Sequence, residues 1–181
     1  MKMVIIPLAE GFEEIEAVTS IDILRRAGIE VITAGLDVDT VIGAHNLEIT
    51  TDSKLKDVLD YNFDAVVLPG GMPGAANLRE SSELLNLIKN INAKKGLIAA
   101  ICAAPIVLEA AGVLKDREAT SYPGYDSEME SANYSEERVV VDRNLITARG
   151  AGAAAEFALE IVKYLVGEDE AFSLKEAMFI E

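Results

Sequence analysis

Short runs of Val, Ile and Leu recur along the chain, and longer segments with a helical spacing of apolar residues lie between them. The runs show almost no alternation of apolar and polar positions, which is typical of parallel strands that helices cover on both faces. This pattern predicts six strands, at residues 2–8, 30–34, 64–68, 97–101, 138–141 and 145–147.

The intervening segments predict four helices. The first covers 12–27, with apolar residues at 12, 15, 18 and 21 and a stop at Gly28; the second covers 81–92, where Ser81 or Ser82 is a capping residue. A third follows Cys102 and ends near Gly112, and a fourth covers 153–166. Residues 142–144 favour a hairpin turn, and the polar segment 121–137 is typical of a surface loop with one short helix.

The alternation of strands and helices predicts an α/β fold with a mainly parallel, doubly wound sheet and a β-hairpin. At 181 residues, without a linker or an internal repeat, the chain is interpreted as one domain over 1–181, with a core at about 2–167 and a C-terminal helical segment at 168–181. Ligands of such sheets bind beyond the carboxyl ends of the strands. The loops at 7–11, 69–71 and 102 are therefore expected to meet at one edge.

Composition removes several classes of function. The formal charge of −15, from 16 basic against 31 acidic residues, disfavours nucleic acid and anionic membranes as partners. One Cys and one His exclude an intrachain disulfide and a Cys/His zinc cluster. The apolar N-terminal run is too short for a signal sequence and no window is long enough for a membrane span, so a cytoplasmic location with a reduced thiol is expected.

The segment around Cys102 carries the clearest candidate chemistry. A buried strand leads directly into Cys102, small alanines flank the turn, and Pro105 suits the first turn of the next helix. A sharp strand-to-helix turn of this kind presents the thiol to the free N–H groups of the helix, which lowers a thiol pKa from about 8.5. A buried and inert cysteine is the alternative interpretation.

The sequence Pro69-Gly70-Gly71 directly follows the strand at 64–68. Two successive glycines let the backbone turn tightly and present N–H groups to an anion, which would make this loop an oxyanion hole for an intermediate on Cys102. The alternative is an ordinary turn after a strand.

Together, Glu16, the 69–71 loop, the elbow at 96–105 and Arg149-Gly150 resemble the ThiJ/PfpI superfamily, and within it the branch of the Parkinson's-disease-associated deglycase (DJ-one). The resemblance implies a flavodoxin-like three-layer sandwich, a homodimer and a redox-sensitive elbow cysteine. It also implies cofactor-free conversion of glyoxal and methylglyoxal to hydroxy acids, repair of early glycation adducts, and holdase chaperoning.

The same resemblance implies roles for individual residues. Cys102 matches the nucleophile and Glu16 matches a carboxylic acid that shares a proton with the sulfur, as a proton shuttle requires. The anion cradle matches the N–H groups of Gly70, Gly71 and Ala103. Arg26 matches an arginine near the pocket or the dimer contact; the alternative for it is a solvated cation in the last turn of a helix.

One departure concerns the loop after the elbow helix, where many members have His before Pro and this chain has Tyr122-Pro123. Tyr122 is able to hydrogen-bond a substrate oxygen but is a poor base, because an unperturbed tyrosine has a pKa of about 10. The only histidine, His45, is interpreted as a surface residue, or otherwise as a residue near a neighbouring subunit's pocket. The lack of a matching His disfavours a Cys-His-acid peptidase.

These observations predict an enzyme without cofactors or metals that acts on small reactive aldehydes, such as 2-oxoaldehydes, or on glycated adducts. Two alternatives stay open: a redox-sensing holdase chaperone that uses an oxidisable Cys102, and, ranked last, an amidase or cysteine peptidase.

Overall fold

The structure, a computed structural model, describes residues 1–180. Within this range the strands are β1 (Met3–Leu8), β2 (Glu30–Gly35), β3 (Thr40–Ile42), β4 (Glu48–Thr50), β5 (Ser53–Lys54), β6 (Ala65–Leu68), β7 (Leu97–Ile101), β8 (Glu118–Ala119), β9 (Asn133–Tyr134), β10 (Val139–Asp142) and β11 (Leu145–Ala148). The helices are α1 (Glu14–Arg26), α2 (Leu55–Val58), α3 (Gly74–Glu80), α4 (Ser82–Ala93), α5 (Pro105–Ala110), α6 (Ala154–Leu165) and α7 (Glu168–Ala177). Short 3-10 turns occupy Asp126–Glu128 and Ala151–Ala153.

Seven strands form the central sheet, in the order β10-β11-β7-β6-β1-β2-β5. All neighbouring pairs are parallel except β10 with β11, which form the predicted antiparallel hairpin. This arrangement confirms the predicted α/β fold. The carboxyl ends of β1, β6 and β7 lie side by side, so the loops that follow them meet at one edge of the sheet.

The sheet separates two apolar layers. Alternate residues of β1 show why the strands lack polar positions: Ile5 packs with α3, α4 and α5, whereas Val4 and Ile6 pack with α1 and α6 on the opposite face. A strand buried on both faces needs apolar side chains at every position. No helix of residues 1–180 is long and apolar enough to cross a membrane.

Several boundaries differ from the predicted ones for local reasons. Helix α1 begins at Glu14 rather than at residue 12, because Phe12 forms a β-bridge with Gly43 before the helix starts. Ser81 is the N-cap of α4 and its hydroxyl accepts a hydrogen bond from the Leu84 N–H (3.3 Å), as predicted. The sequence prediction missed α3, since its seven residues are too few to show a clear helical period.

The segment at 121–137 is largely irregular and contains the one short helical turn that was predicted. It also contains β9, which pairs with β8 outside the main sheet and was not predicted. The C-terminal segment forms α7, which packs on α6 through the buried Ala171. The division into domains is not otherwise tested by the fold.

Candidate active site

Cys102 lies in a sharp turn at the carboxyl end of β7. Its φ of +63° is in the left-handed region, which costs a residue other than glycine about 1–3 kcal/mol. Two hydrogen bonds hold this conformation: the Cys102 N–H donates to the Ala148 carbonyl (2.9 Å), and the Cys102 carbonyl accepts from the Tyr122 N–H (2.9 Å). Backbone hydrogen bonds from two neighbouring segments therefore fix the turn that carries the thiol.

The loop after β6 approaches this turn closely because residues 70 and 71 have no side chains. A Cβ at Gly70 would lie 2.7 Å from the Cys102 Cβ and 2.8 Å from the Glu16 Oε2, distances that real Cβ atoms do not show. Gly71 has a φ of +87°, and a Cβ there would overlap the backbone of Glu13. Glycine is thus a steric requirement at both positions.

Glu16 enters the site from the first turn of α1 and is completely buried. Its Oε2 accepts a hydrogen bond from the Gly70 N–H (2.8 Å), whereas its Oε1 is buried without a hydrogen-bonding partner. The Gly70 N–H donates to Glu16 in this structure, whereas the N–H groups of Gly71 and Ala103 lower the pKa of the Cys102 thiol. An anion cradle of all three N–H groups stays a prediction.

Burial raises the pKa of Glu16 to about 7, against the opposing effects of the Gly70 N–H and the Cys102 side chain, and the nearby Glu13 raises it further. A carboxyl group with this pKa exchanges its proton near neutral pH. It therefore has the property that general acid–base catalysis requires.

The environment of the thiol differs from the expectation of a lowered pKa. Burial, followed by the charge of ionised Glu16, raises the pKa of Cys102 to about 12, and the N–H groups of Ala103 and Gly71 oppose this. A lowered pKa was expected from the helix that follows Cys102. That helix, α5, has only six residues and contributes a small dipole.

The two groups are best described as one titrating pair. When Glu16 holds the proton its charge disappears, and the carboxyl group becomes a donor toward the sulfur instead of a repelling anion. The two N–H groups then act on the thiolate unopposed by that charge. A reactive sulfur in this site therefore requires a protonated Glu16.

Two tyrosines lie beside the pair. Tyr122, predicted as a substrate contact, is half exposed, and a Cβ at Gly150 would lie 3.4 Å from its ring. Tyr125 was not among the predicted residues: burial raises the pKa of its hydroxyl, and the charge on Cys102 raises it further. Tyr125 belongs to the irregular segment. The sequence of this segment has no periodicity from which the direction of a side chain could be predicted.

Arg26 lies at the other end of α1 from Glu16. It lies in the last turn of α1, ten residues or about 15 Å along the helix from Glu16, and its exposed side chain pairs with Asp22 (2.6 Å). Within one chain, Arg26 is thus an exposed cation in the last turn of α1, as in the alternative interpretation. Its predicted role near the pocket or the dimer contact stays a prediction.

His45 is a surface residue, as expected, with a side chain 70% exposed. Its Nδ1 lies 2.8 Å from Glu14 Oε2 and 3.7 Å from Glu13 Oε2, and the hydrogen bond with Glu14 raises the pKa of the imidazole. Ligand atoms of these three side chains lie within 4.8 Å of one another, so they are the residues of 1–180 placed to share a cation. The imidazole pairs with acids and not with Cys102.

Comparisons with known proteins show what the chain as a whole is similar to. The sequence pattern of the DJ-1/PfpI family matches residues 2–164. The chain is 41% identical to the Parkinson disease protein 7 homolog of Danio rerio, over 99% of this chain and 98% of that protein. It is 39% identical to the glutathione-independent glyoxalase DJR-1.2 of Caenorhabditis elegans, over 91% and 89%. The crystal structure of Drosophila melanogaster DJ-1beta superposes with a TM-score of 0.96 at 40% identity, covering 99% of this chain and 98% of that one.

Proposed function

The chain belongs to the DJ-1/PfpI family, and on this premise we propose that it converts small 2-oxoaldehydes to 2-hydroxy acids without glutathione. The observation that carries the proposal is the buried Glu16 beside Cys102, whose pKa of about 7 suits a proton shuttle. The name of the Caenorhabditis elegans relative, a glutathione-independent glyoxalase, supports the same class of reaction.

The first step forms a C–S bond. Glu16 holds the proton and the Cys102 thiolate adds to the aldehyde carbon, whose oxygen takes the proton of Glu16. The product is a hemithioacetal and an ionised Glu16. The N–H groups of Gly71 and Ala103 are the donors nearest to the sulfur, and they stabilise the negative oxygen while it forms.

The second step moves hydrogen between adjacent carbons. Ionised Glu16 removes the proton from the former aldehyde carbon and delivers it to the ketone oxygen, which gives an enediol. It then removes the hydroxyl proton on the former aldehyde carbon and delivers it to the neighbouring carbon. The result is a thioester on Cys102. Water hydrolyses this thioester and releases the 2-hydroxy acid, so the net change adds one water to the 2-oxoaldehyde and no oxidant is needed.

The experiment is lactate formation from methylglyoxal by the purified chain without glutathione. Cys102→Ala should reduce turnover by at least about 1,000-fold, because the nucleophile is lost. Ser173→Ala, whose hydroxyl bonds Asp169 on the distant α7, is the control and should be unchanged. Turnover that survives in Cys102→Ala, or that is absent from the unmodified chain, would overturn the proposal.

A second candidate function is a peroxide sensor with holdase activity. The half-buried Cys102 thiol is accessible, and the N–H groups near the sulfur are suited to hold the oxygens of a sulfinate. Mild peroxide followed by intact-mass measurement tests it. A stable two-oxygen adduct, suppression of client aggregation and no aldehyde turnover would favour this function over the enzyme.

We also propose that two chains assemble into a homodimer. Apolar side chains are exposed on α1 and on the neighbouring β3–β4 hairpin, at Ile15, Val18, Ile42 and Leu47, and Val18 lines the same open cavity as Ile49. Exposed apolar clusters of this kind mark contacts between proteins. Light scattering should give twice the chain mass, and Val18→Asp should reduce it to the monomer; a monomeric unmodified chain would contradict the assembly.

A further inference from the structure

Arg149 is distinguished from the other arginines by its lack of an acidic partner. The chain has seven arginines, and six of them lie within 3.1 Å of a carboxylate oxygen: Arg25, Arg26, Arg79, Arg117, Arg138 and Arg143. Arg149 has none in residues 1–180, although the chain carries 31 acidic residues. A cation that stays unpaired in so acidic a chain is available to an outside anion.

Its position in the sheet brings Arg149 next to the nucleophile. β11 ends at Ala148, whose carbonyl accepts the N–H of Cys102 (2.9 Å). Adjacent strands lie about 4.8 Å apart, so the backbone of Arg149 lies directly beside the elbow. Tyr122, whose N–H donates to the Cys102 carbonyl (2.9 Å), lines the same cavity as Arg149.

This cavity is open and has a volume of about 390 Å³, a size that suits a small ligand. The cavity is lined by Tyr122, Pro123, Arg138, Arg149 and residues 150–153, and its walls contain no carboxylate. Arg138 is occupied, since it donates to Glu156 (2.9 Å) and to the Gly152 carbonyl (2.6 Å). The uncompensated charge of the cavity is therefore that of Arg149.

The guanidinium of Arg149 is held in place by a hydrogen bond that uses only one of its donors. One hydrogen bond, from its Nη1 to the Glu136 carbonyl (2.7 Å), fixes the side chain. A guanidinium has five N–H donors, so the others remain available in a planar arrangement that fits two oxygens of one carboxylate or phosphate.

We propose that Arg149 binds an anionic group of the substrate, so that the chain favours 2-oxoaldehydes that carry a carboxylate or a phosphate a few atoms from the aldehyde. The proposal rests on the proposed function for the identity of the reacting group. The anion binding itself does not depend on turnover. Arg149 acts in this proposal as a residue that determines specificity, and Cys102 and Glu16 carry out the chemistry.

The first test uses the single cysteine as its own reporter. Iodoacetate, which is anionic, and iodoacetamide, which is neutral, both alkylate Cys102, and the ratio of their rates cancels differences in thiolate population. Arg149→Gln should lower the iodoacetate-to-iodoacetamide ratio by about fivefold to tenfold in dilute buffer, with a smaller effect at high salt. Arg149→Lys should retain most of the ratio.

The matched control is Arg143→Gln, which removes the same charge from the exposed turn at the opposite end of β11. Its ratio should equal that of the unmodified chain. An equal fall in both variants would show a general charge effect, and an unchanged ratio in Arg149→Gln would show a solvated arginine; either result overturns the proposal.

The second test measures turnover of two 2-oxoaldehydes, methylglyoxal and a homologue with a terminal carboxylate, with a phosphate-bearing analogue as a third arm. Arg149→Gln should raise KM for the anionic substrates by roughly 10- to 100-fold and leave kcat and the constants for methylglyoxal nearly unchanged. The arm with the larger increase identifies the preferred anion. Equal increases for methylglyoxal would contradict specificity.

The failure of the two proposals is distinguishable. If no 2-oxoaldehyde is converted while the alkylation ratio still depends on Arg149, the glyoxalase function is wrong and the anion site is retained. If methylglyoxal is converted and the ratio is independent of Arg149, the reverse holds.

Discussion

Glu14 and Glu16 differ in their hydrogen-bond donors although they share a helix turn and are both buried, with 5% and 0% of their surfaces exposed. Burial raises the pKa of Glu14, but hydrogen bonds from the His45 ring (2.8 Å) and from the N–H groups of His45 (2.6 Å) and Leu47 outweigh it, so the pKa is lowered. Glu16 has one backbone donor, the Gly70 N–H, which together with the Cys102 side chain does not outweigh burial, so its pKa is raised.

The difference shows that burial alone does not decide what a carboxyl group does. Several donors keep Glu14 ionised, and it holds the turn at 43–47 against α1. One backbone donor and an unpartnered oxygen leave Glu16 with a proton to exchange near neutral pH. The number of backbone donors therefore separates the carboxyl group that stays ionised from the one whose pKa is raised.

The largest expected effect is on turnover. Glu16→Gln should reduce methylglyoxal turnover by about 100- to 10,000-fold, because the amide cannot shuttle a proton. Glu14→Gln, the matched change two residues earlier on the same turn, should leave the turnover of folded protein within about threefold. Steady-state assays normalised to folded protein check this. Equal losses in both variants would remove the distinction.

The second expected effect is on stability against pH. Folded Glu16 keeps its proton up to about pH 7, whereas an unfolded glutamate releases it near 4.5. The folded chain therefore loses stability as pH rises through this window, by about 3 kcal/mol in total. Glu16→Gln should remove this loss. The free energy of unfolding of the variant should therefore rise relative to that of the unmodified chain between pH 4.5 and 8.

Denaturant unfolding at several pH values measures this gain. The contribution of His45 to the pH dependence cancels in the comparison, because both proteins contain it. Glu14 has the opposite sign: its lowered pKa stabilises the fold at neutral pH, and that stability is lost as pH falls through its folded pKa. Parallel pH curves for Glu16→Gln and the unmodified chain would contradict the raised pKa.

A smaller effect is expected from filling the space between Glu16 and Cys102. Gly70→Ala places a methyl group 2.7 Å from the Cys102 Cβ and should destabilise the fold by about 1–3 kcal/mol while disturbing the Glu16 contact. Gly152→Ala is the control, because nothing lies within 4 Å of its Cβ. Thermal unfolding of both variants measures the two changes in stability. An unchanged stability of Gly70→Ala would show that the loop after β6 moves to accommodate the methyl group.

The smallest expected effect is on His45, the only histidine and hence a single NMR titration. The Glu14 hydrogen bond raises the pKa of His45 above its usual 6.5. Glu14→Gln should lower the titration midpoint, whereas Glu16→Gln should leave it in place. A midpoint unaffected by Glu14→Gln would mean that the contact is absent in solution.

Much of the fold follows from the pattern of apolar positions. The main strands β1, β2, β6, β7, β10 and β11 and the helices α1, α4, α5 and α6 were predicted, because long elements with two buried faces or a clear helical period have distinctive sequences. The short elements were not among the six strands and four helices predicted: α2, α3, β3, β4, β5, β8 and β9. They contain too few residues to show a period, and tertiary contacts determine them.

The candidate site divides in the same way. The sharp turn at Cys102 and the glycine pair were predicted from local sequence, since backbone that turns tightly needs small residues on both sides. The direction of the Gly70 N–H and the place of Tyr125 were not, nor was the exposed ion pair of Arg26 with Asp22. The first two depend on which chain segment lies opposite.

By itself the sequence determined the layered sheet, the loops that meet at its carboxyl edge and the presence of one thiol at a sharp turn, because period and residue size act locally. It offered four acids at 10, 13, 14 and 16 without a means to choose among them. Only the tertiary structure decided that Glu16 keeps its proton and Glu14 does not. The physical reason is that donors and solvent exclusion come from β6, β7 and the turn at 43–47, which are distant along the chain and adjacent in space.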